Sequence, residues 1–187
     1  SKADINVGAR ATCSQVDWNN DGKQDLMVGD GYGYVQIFLN QKTNAEPDFG
    51  NPFKVRYGNS DLDVGDRASP VFMDLDGDGL RDLLSGNMAG QLVFYKNGGT
   101  NEAPSFSTVS RVLASNDQNY VLSGSPRTRP FVCDWDGNGQ LDVLVGAYGA
   151  SGAYVRLYTL TPEPGTLCLA GAGVALLLRR RRSTRGH

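Results

Sequence analysis

Residues 74–82 read D-L-D-G-D-G-L-R-D, and the recurrence of this stretch decides the fold. Asp17 opens D-W-N-N-D-G-K-Q-D, 57 residues earlier, and Asp134 opens D-W-D-G-N-G-Q-L-D, 60 residues later. The matches continue outward. Val7, Gly8 and Arg10 align with Val64, Gly65 and Arg67, and Gly29 and Asn40 with Gly86 and Asn97. Thr43, Asn44, Pro47 and Phe49 align with Thr100, Asn101, Pro104 and Phe106. At the later offset Arg127, Pro130 and Gly146 align with Arg67, Pro70 and Gly86. Whole-unit self-similarity at this period marks a repeat architecture. The units span about 1–49, 50–106 and 107–160, the first lacking its beginning.

Each unit reads as short strands. Residues 69–73 are an apolar run entering the acidic stretch, Leu83 and Leu84 leave it, a turn follows through Gly86 and Gly90, and Leu92–Tyr95 is a second β-rich run. Leu26–Val28 and Val35–Leu39 play these parts in the first copy, and Val143–Val145 and Val155–Tyr158 in the third. The 24 glycines and eight prolines favour turns over long helices. The expected fold class is all-β: propeller-type blades of antiparallel strands, about three repeats forming a partial propeller, plus a short C-terminal apolar helix.

The acidic stretches are candidate cation loops. Oxygen-bearing side chains stand at positions 1, 3, 5 and 9. They are Asp17, Asn19, Asp21 and Asp25 in the first loop, and Asp74, Asp76, Asp78 and Asp82 in the second. The third has Asp134, Asp136, Asn138 and Asp142. Position 7 (Lys23, Leu80, Gln140) can add a main-chain carbonyl, and position 6 (Gly22, Gly79, Gly139) permits the sharp turn. Several oxygens at about 2.3–2.6 Å suit Ca²⁺, whereas Mg²⁺ demands a tighter octahedron. An EF-hand needs a bidentate Glu at position 12, where Val28, Ser85 and Val145 stand instead. Polar turns alone would also use Asp, Asn and Gly. Three copies in register, however, pack carboxylates that repel one another without a cation. About three Ca²⁺ ions are expected, structural rather than functional in role.

Charge and the rarer residues narrow the function. Of 18 basic and 20 acidic residues, five arginines and one glutamate lie from Thr161 onward, so the body is acidic. No basic patch with interleaved aromatics appears, which argues against nucleic acid. The one histidine is His187, excluding most Ser-His-Asp and Cys-His chemistry. Asp30, Asp61, Asp63, Asp66 and Asp117 lie outside the loops with nothing in the sequence to pair them, and no enzymatic activity is expected. Cys13, Cys133 and Cys168 make neither a disulfide framework nor a zinc site. A Cys13–Cys133 bond is one option and buried free thiols the favoured one.

Residues 161–187 differ in kind. Pro162–Glu163–Pro164 is followed by an apolar stretch, Thr166–Leu178, and then by Arg179, Arg180, Arg181 and Arg182. The apolar stretch is shorter than the ~20 residues of a full membrane span, but the arginine cluster fits an insertion signal held on the cytoplasmic side.

Residues 5–160 resemble the FG-GAP/VCBS repeat family, also found in the propeller of integrin α-subunits. The resemblance rests on D-x-D-x-D-G-x-x-D, the following L-x-x-G, and the connector N-x-x-T-N-x-x-P-x-F. It implies calcium held between the strands of a blade, with Asn19 and Asn138 each removing one charge. Family propellers have about seven blades, so either an N-terminal part is missing, the favoured expectation, or the units assemble between chains. The tail resembles the PEP-CTERM sorting signal of Gram-negative bacteria. That implies recognition by an exosortase-like enzyme, transient membrane anchoring, and delivery to the envelope, cell surface or extracellular matrix. The expected function is adhesion or binding of a protein or polysaccharide ligand. The alternative is the non-catalytic propeller portion of an exported polysaccharide-acting enzyme. Tyr32, Tyr34, Tyr120, Tyr148 and Tyr154 are candidate sugar-stacking residues, with strand-end packing as the competing role.

Overall fold

The computed structural model describes residues 4–111, 113–114, 127–149, 152–160 and 177–180. Fifteen strands follow one another among the described residues. The first four are β1 (Thr12–Val16), β2 (Asp25–Gly29), β3 (Val35–Phe38) and β4 (Phe53–Lys54). A small hairpin, β5 (Arg56–Tyr57) and β6 (Ser60–Asp61), leads to β7 (Ser69–Met73), β8 (Asp82–Gly86), β9 (Leu92–Asn97), β10 (Phe106–Arg111) and β11 (Leu113–Ala114). The last are β12 (Arg129–Cys133), β13 (Asp142–Gly149), β14 (Gly152–Leu160) and β15 (Leu177–Arg180).

They form three sheets, ordered β1-β2-β3-β4, β6-β5-β10-β9-β8-β7 and β11-β15-β14-β13-β12. Each is a blade: an antiparallel meander whose inner strand (β1, β7, β12) leads through an acidic loop into the second (β2, β8, β13). The register repeats as well. Thr12 faces Gly29, Ser69 faces Gly86, and Arg129 faces Gly146. The inner strands neighbour one another, β1 against β7 and β7 against β12, as blades do around a propeller axis. Two parallel pairings, β10 with β5 and β11 with β15, depart from the purely antiparallel expectation. The first arises because the linker after β4 folds back as a hairpin along the outer edge of the second blade.

The sequence pattern explains the stacking. Along β8 and β9, side chains alternate between two cores. Leu83, Val93 and Tyr95 join Trp18, Met27, Ile37 and Phe72 between the first and second blades. Leu84, Leu92 and Phe94 join Val132, Val143, Val145 and Tyr158 between the second and third. The middle sheet is therefore buried on both faces, which is why Leu83–Leu84 and Leu92–Tyr95 read as continuous apolar runs. Close stacking needs glycine at one repeated position. A Cβ on Gly29 would collide with the Ala68 carbonyl, and a Cβ on Gly86 with the Thr128 carbonyl.

Cys13 and Cys133 are free thiols, but Cys13 is exposed and Cys133 half-buried, so burial was the wrong expectation. Cys13 lies on the outward face of β1, where strand alternation sends the side chain away from the core. Of the expected C-terminal helix, Leu177 and Leu178 are in β15, and the rest lies outside the described residues, as do Cys168 and Pro162–Pro164. Among the described residues no helix is long and apolar enough to cross a membrane.

Candidate metal centres

The three loops share one backbone frame, built by their own side chains. The position-1 carboxylate accepts the amide of position 6 each time: Asp17 from Gly22 at 3.0 Å, and Asp74 from Gly79 and Asp134 from Gly139, both at 2.9 Å. The position-5 oxygen accepts the amide of position 7: Asp21 from Lys23, Asp78 from Leu80, Asn138 from Gln140. These Asx turns wrap the chain around the side-chain oxygens. Position 6 has φ of 80°, 87° and 84° at Gly22, Gly79 and Gly139. Position 4 is also left-handed, at Asn20 (57°), Gly77 (77°) and Gly137 (73°). That second requirement was visible as Asn-or-Gly at position 4 and was not read from the sequence.

Position 9 anchors the loop from below. Asp25, Asp82 and Asp142 are all buried. Asp25 accepts the amides of Trp18 (2.9 Å) and Asn40 (2.8 Å), and Asp82 those of Leu75 (3.3 Å) and Asn97 (2.8 Å). Asp142 accepts the Trp135 amide at 3.0 Å. Its other oxygen, Oδ1, is buried without a hydrogen-bond partner. Burial pushes the Asp82 carboxyl up to about 7, with the Asp76 and Asp78 charges adding to the effect.

Three carboxylates converge within 4.8 Å in two of the loops: Asp74, Asp76 and Asp78 in the second, and Asp134, Asp136 and Asp142 in the third. Both clusters could hold a metal ion. The first loop, where Asn19 stands at the position that supplies Asp76 and Asp136 to the other two clusters, gathers no such trio. Asn19 Nδ2 donates to Asp21, and its Oδ1 is left buried and unpartnered. Buried oxygens are normally satisfied. Among the described residues the orphans are Asn19 Oδ1 and Asp142 Oδ1, both in these loops and both cation-ligand chemistry. In the second loop an internal cation sits on the acids. The Lys96 ammonium hydrogen-bonds Asp76, and Asp78 at 2.7 Å. Burial pulls the Lys96 ammonium down, but these two bonds outweigh it and hold it above its ordinary value. The same bond holds Asp78 below the carboxylate range against the opposing effect of burial. The donor sets thus fit a hard cation, with Lys96 standing in for one.

Connector residues brace the loops, a role not assigned from the sequence. Asn44 accepts the Gln24 amide and donates to the Gly22 carbonyl, and Asn101 does the same with Arg81 and Gly79. Asn40 and Asn97 each gather two amides of their own connector. The Asn of the repeated T-N pair is therefore a clamp on the loop.

Three of the remaining candidate acids have local partners. Asp30 accepts the amides of Tyr32 and Tyr34 and the Gln36 side chain; Asp61 pairs with Lys54 and Arg56; Asp63 accepts the Gly65 amide. Asp66 is exposed, and Asp117 lies outside the described residues. Among the tyrosines, Tyr34 lies under Lys54 and Tyr154 under Arg156. Tyr32 and Tyr148 are exposed, and Tyr120 is outside the described residues.

Comparison with known families agrees with this geometry. Residues 74–145 match the FG-GAP-like repeat, and residues 160–182 match the PEP-CTERM protein-sorting motif. No curated protein and no solved structure matches the chain. The sorting motif marks an exported protein, membrane-anchored until an exosortase-like system processes it. The chain thus carries an FG-GAP-like repeat, built as propeller-type blades around acidic loops, with a PEP-CTERM sorting motif behind it.

Proposed function

We propose that this protein is a calcium-binding, propeller-type component of the cell surface or extracellular matrix of a Gram-negative bacterium, engaged in adhesion or ligand binding and not in catalysis. The observation that carries the calcium reading is the pair of orphaned buried oxygens, Asn19 Oδ1 and Asp142 Oδ1, each within a preformed acidic loop. A Ca²⁺ ion would take these oxygens with Asp17 and Asp21 in the first loop and with Asp134 and Asp136 in the third. Asp74, Asp76 and Asp78 would hold one in the second once Lys96 moves aside. The ion would neutralise clustered carboxylates and lock strand to strand, a structural role. Extracellular calcium is plentiful enough to fill weak sites. The non-catalytic reading is supported by the structural engagement of Asp30, Asp61 and Asp63.

The test is titration of chelator-stripped full-length chain with Ca²⁺, read by calorimetry and thermal melting. Two to three ions should bind, and at a hundredfold excess over Kd each site should add about 2.7 kcal/mol of stability. A folded chain that takes up no calcium would overturn the proposal.

A further inference from the structure

Arg10, Arg67 and Arg127 recur at one place in the repeat, two residues before the inner strand of each blade. The structure brings all three to a single cleft of ≈ 200 Å³, with Arg129, Thr12 and the buried pair Asn87 and Thr128. Their backbones are unusual: φ is 63° at Arg10, 62° at Arg67 and 149° at Arg127. Non-glycine residues rarely adopt positive φ, and such strain persists where the surroundings enforce it. Among the described residues none of the four arginines has a carboxylate within ion-pair distance. Burial, and then the charges of Arg10 and Arg127, push the Arg67 guanidinium below its ordinary value, against the opposing effect of Asp66. The floor is rigid: Asn87 bonds the Val64 carbonyl and Gln91, and the Thr128 amide bonds the Asn87 carbonyl. The cleft is thus lined by like charges with no carboxylate ion-paired to them among the described residues.

We infer that this cleft is an anion site, formed jointly by three blades, for a compact oxyanion group (carboxylate, sulfate or phosphate) of the kind carried by acidic saccharides. Guanidinium forks match such groups in bidentate geometry. The cleft suits one charged group or one sugar ring, being smaller than a typical drug-sized site. It lies at the opposite end of the inner strands from the acidic loops, so the carboxylates do not compete for it. Exposed Tyr32 stands at the same end, its ring 3.6 Å from where a Cβ on Gly8 would lie, and offers a face for a sugar ring. The inference deepens the ligand-binding reading above and rests on it only for the saccharide source. It does not depend on calcium.

The test uses the full chain at fixed ionic strength, titrated by calorimetry with inorganic sulfate and, separately, with trigalacturonate. Saturable binding of one equivalent is expected, weakened at least tenfold in Arg67→Met and in the rim variant Arg10→Met. Calcium isotherms of both variants should match the parent, so this site and the metal loops fail independently. Tighter binding of trigalacturonate than of sulfate assigns a saccharide-borne anion; the reverse order assigns a free one. No saturable binding of either probe, or parental affinity in Arg10→Met, would overturn the inference, and Arg10→Met decides should Arg67→Met not fold.

Discussion

Acids of one loop do different work although they read alike in the sequence. Asp134 accepts amides from Gly137, Asn138 and Gly139, whereas Asp136 is exposed and makes no hydrogen bond within the described residues. Asp136→Asn should therefore weaken one calcium site about tenfold or more by removing a unit charge. It should leave the calcium-free stability within about 0.5 kcal/mol. Asp134→Asn should also lower calcium-free stability, by about 1–2 kcal/mol, because the three turn-forming amides lose part of their carboxylate acceptor. Calorimetry for affinity and denaturant melts for stability separate the two effects. Lys96 makes the opposite case, a residue that opposes the metal. No other copy has a lysine there: Leu39, one residue past β3, aligns with it in the first repeat, and Thr159 stands opposite Asp142 in the third. Lys96→Met should raise the calcium affinity of the second loop about tenfold. It should also lower the melting temperature without calcium, since Asp76 and Asp78 then repel unopposed. An unchanged isotherm would show that Lys96 does not compete with the ion.

Strand and loop elements were legible wherever two signals coincided. The run 69–73, the leucine pair 83–84 and the stretch 92–95 carry β-rich composition between glycine-bearing turns, and each became a strand. The hairpin β5–β6 was not foreseen, since two-residue strands such as Arg56–Tyr57 leave no periodic trace. The loop frame was half legible: glycine at position 6 announced its turn, but the clamps from Asn44 and Asn101 come from 20–22 residues away and depend on tertiary approach. The repeated glycine at the end of the second strand makes a sharper test. Gly86 meets the main-chain carbonyl of Thr128, which cannot yield as a side chain could. Gly86→Ala should cost about 1–3 kcal/mol by overpacking the seam between blades. Gly146 occupies the same repeat position, but its nearest foreign atom would be 3.8 Å from a Cβ. Gly146→Ala should be neutral or mildly stabilising. Equal effects of the two, measured as shifts of the denaturant midpoint, would show that stacking does not set the glycine requirement.

At the scale of the molecule, burial depends on whether a neighbouring blade packs on the face. Position 2 of the loop holds Trp18, Leu75 and Trp135. Trp18 is 6% exposed and Leu75 4%, while Trp135 is 57% exposed. The local frame does not differ, because the Trp18 and Trp135 amides both donate to the position-9 aspartate. What differs is the neighbour. Trp18 stacks on Phe72 of the second blade at 4.7 Å between ring centroids, and Leu75 enters the core shared with the third. Phe131 and Val155 of the third blade are exposed alongside Trp135. The two tryptophans are therefore separate reporters of a covered and an uncovered blade face. Trp135→Phe should remove the red-shifted, acrylamide-quenchable part of the emission, leaving the blue-shifted part from Trp18. Trp18→Phe should do the reverse and lower stability by about 1–3 kcal/mol, through the loss of buried ring area against Phe72 and Phe106. If Trp135 in the full chain proved as shielded from quencher as Trp18, another surface would have to cover the third blade in solution. Quenching that fell with protein concentration would then identify that surface as a second copy of the chain, and concentration-independent shielding would place it within one chain.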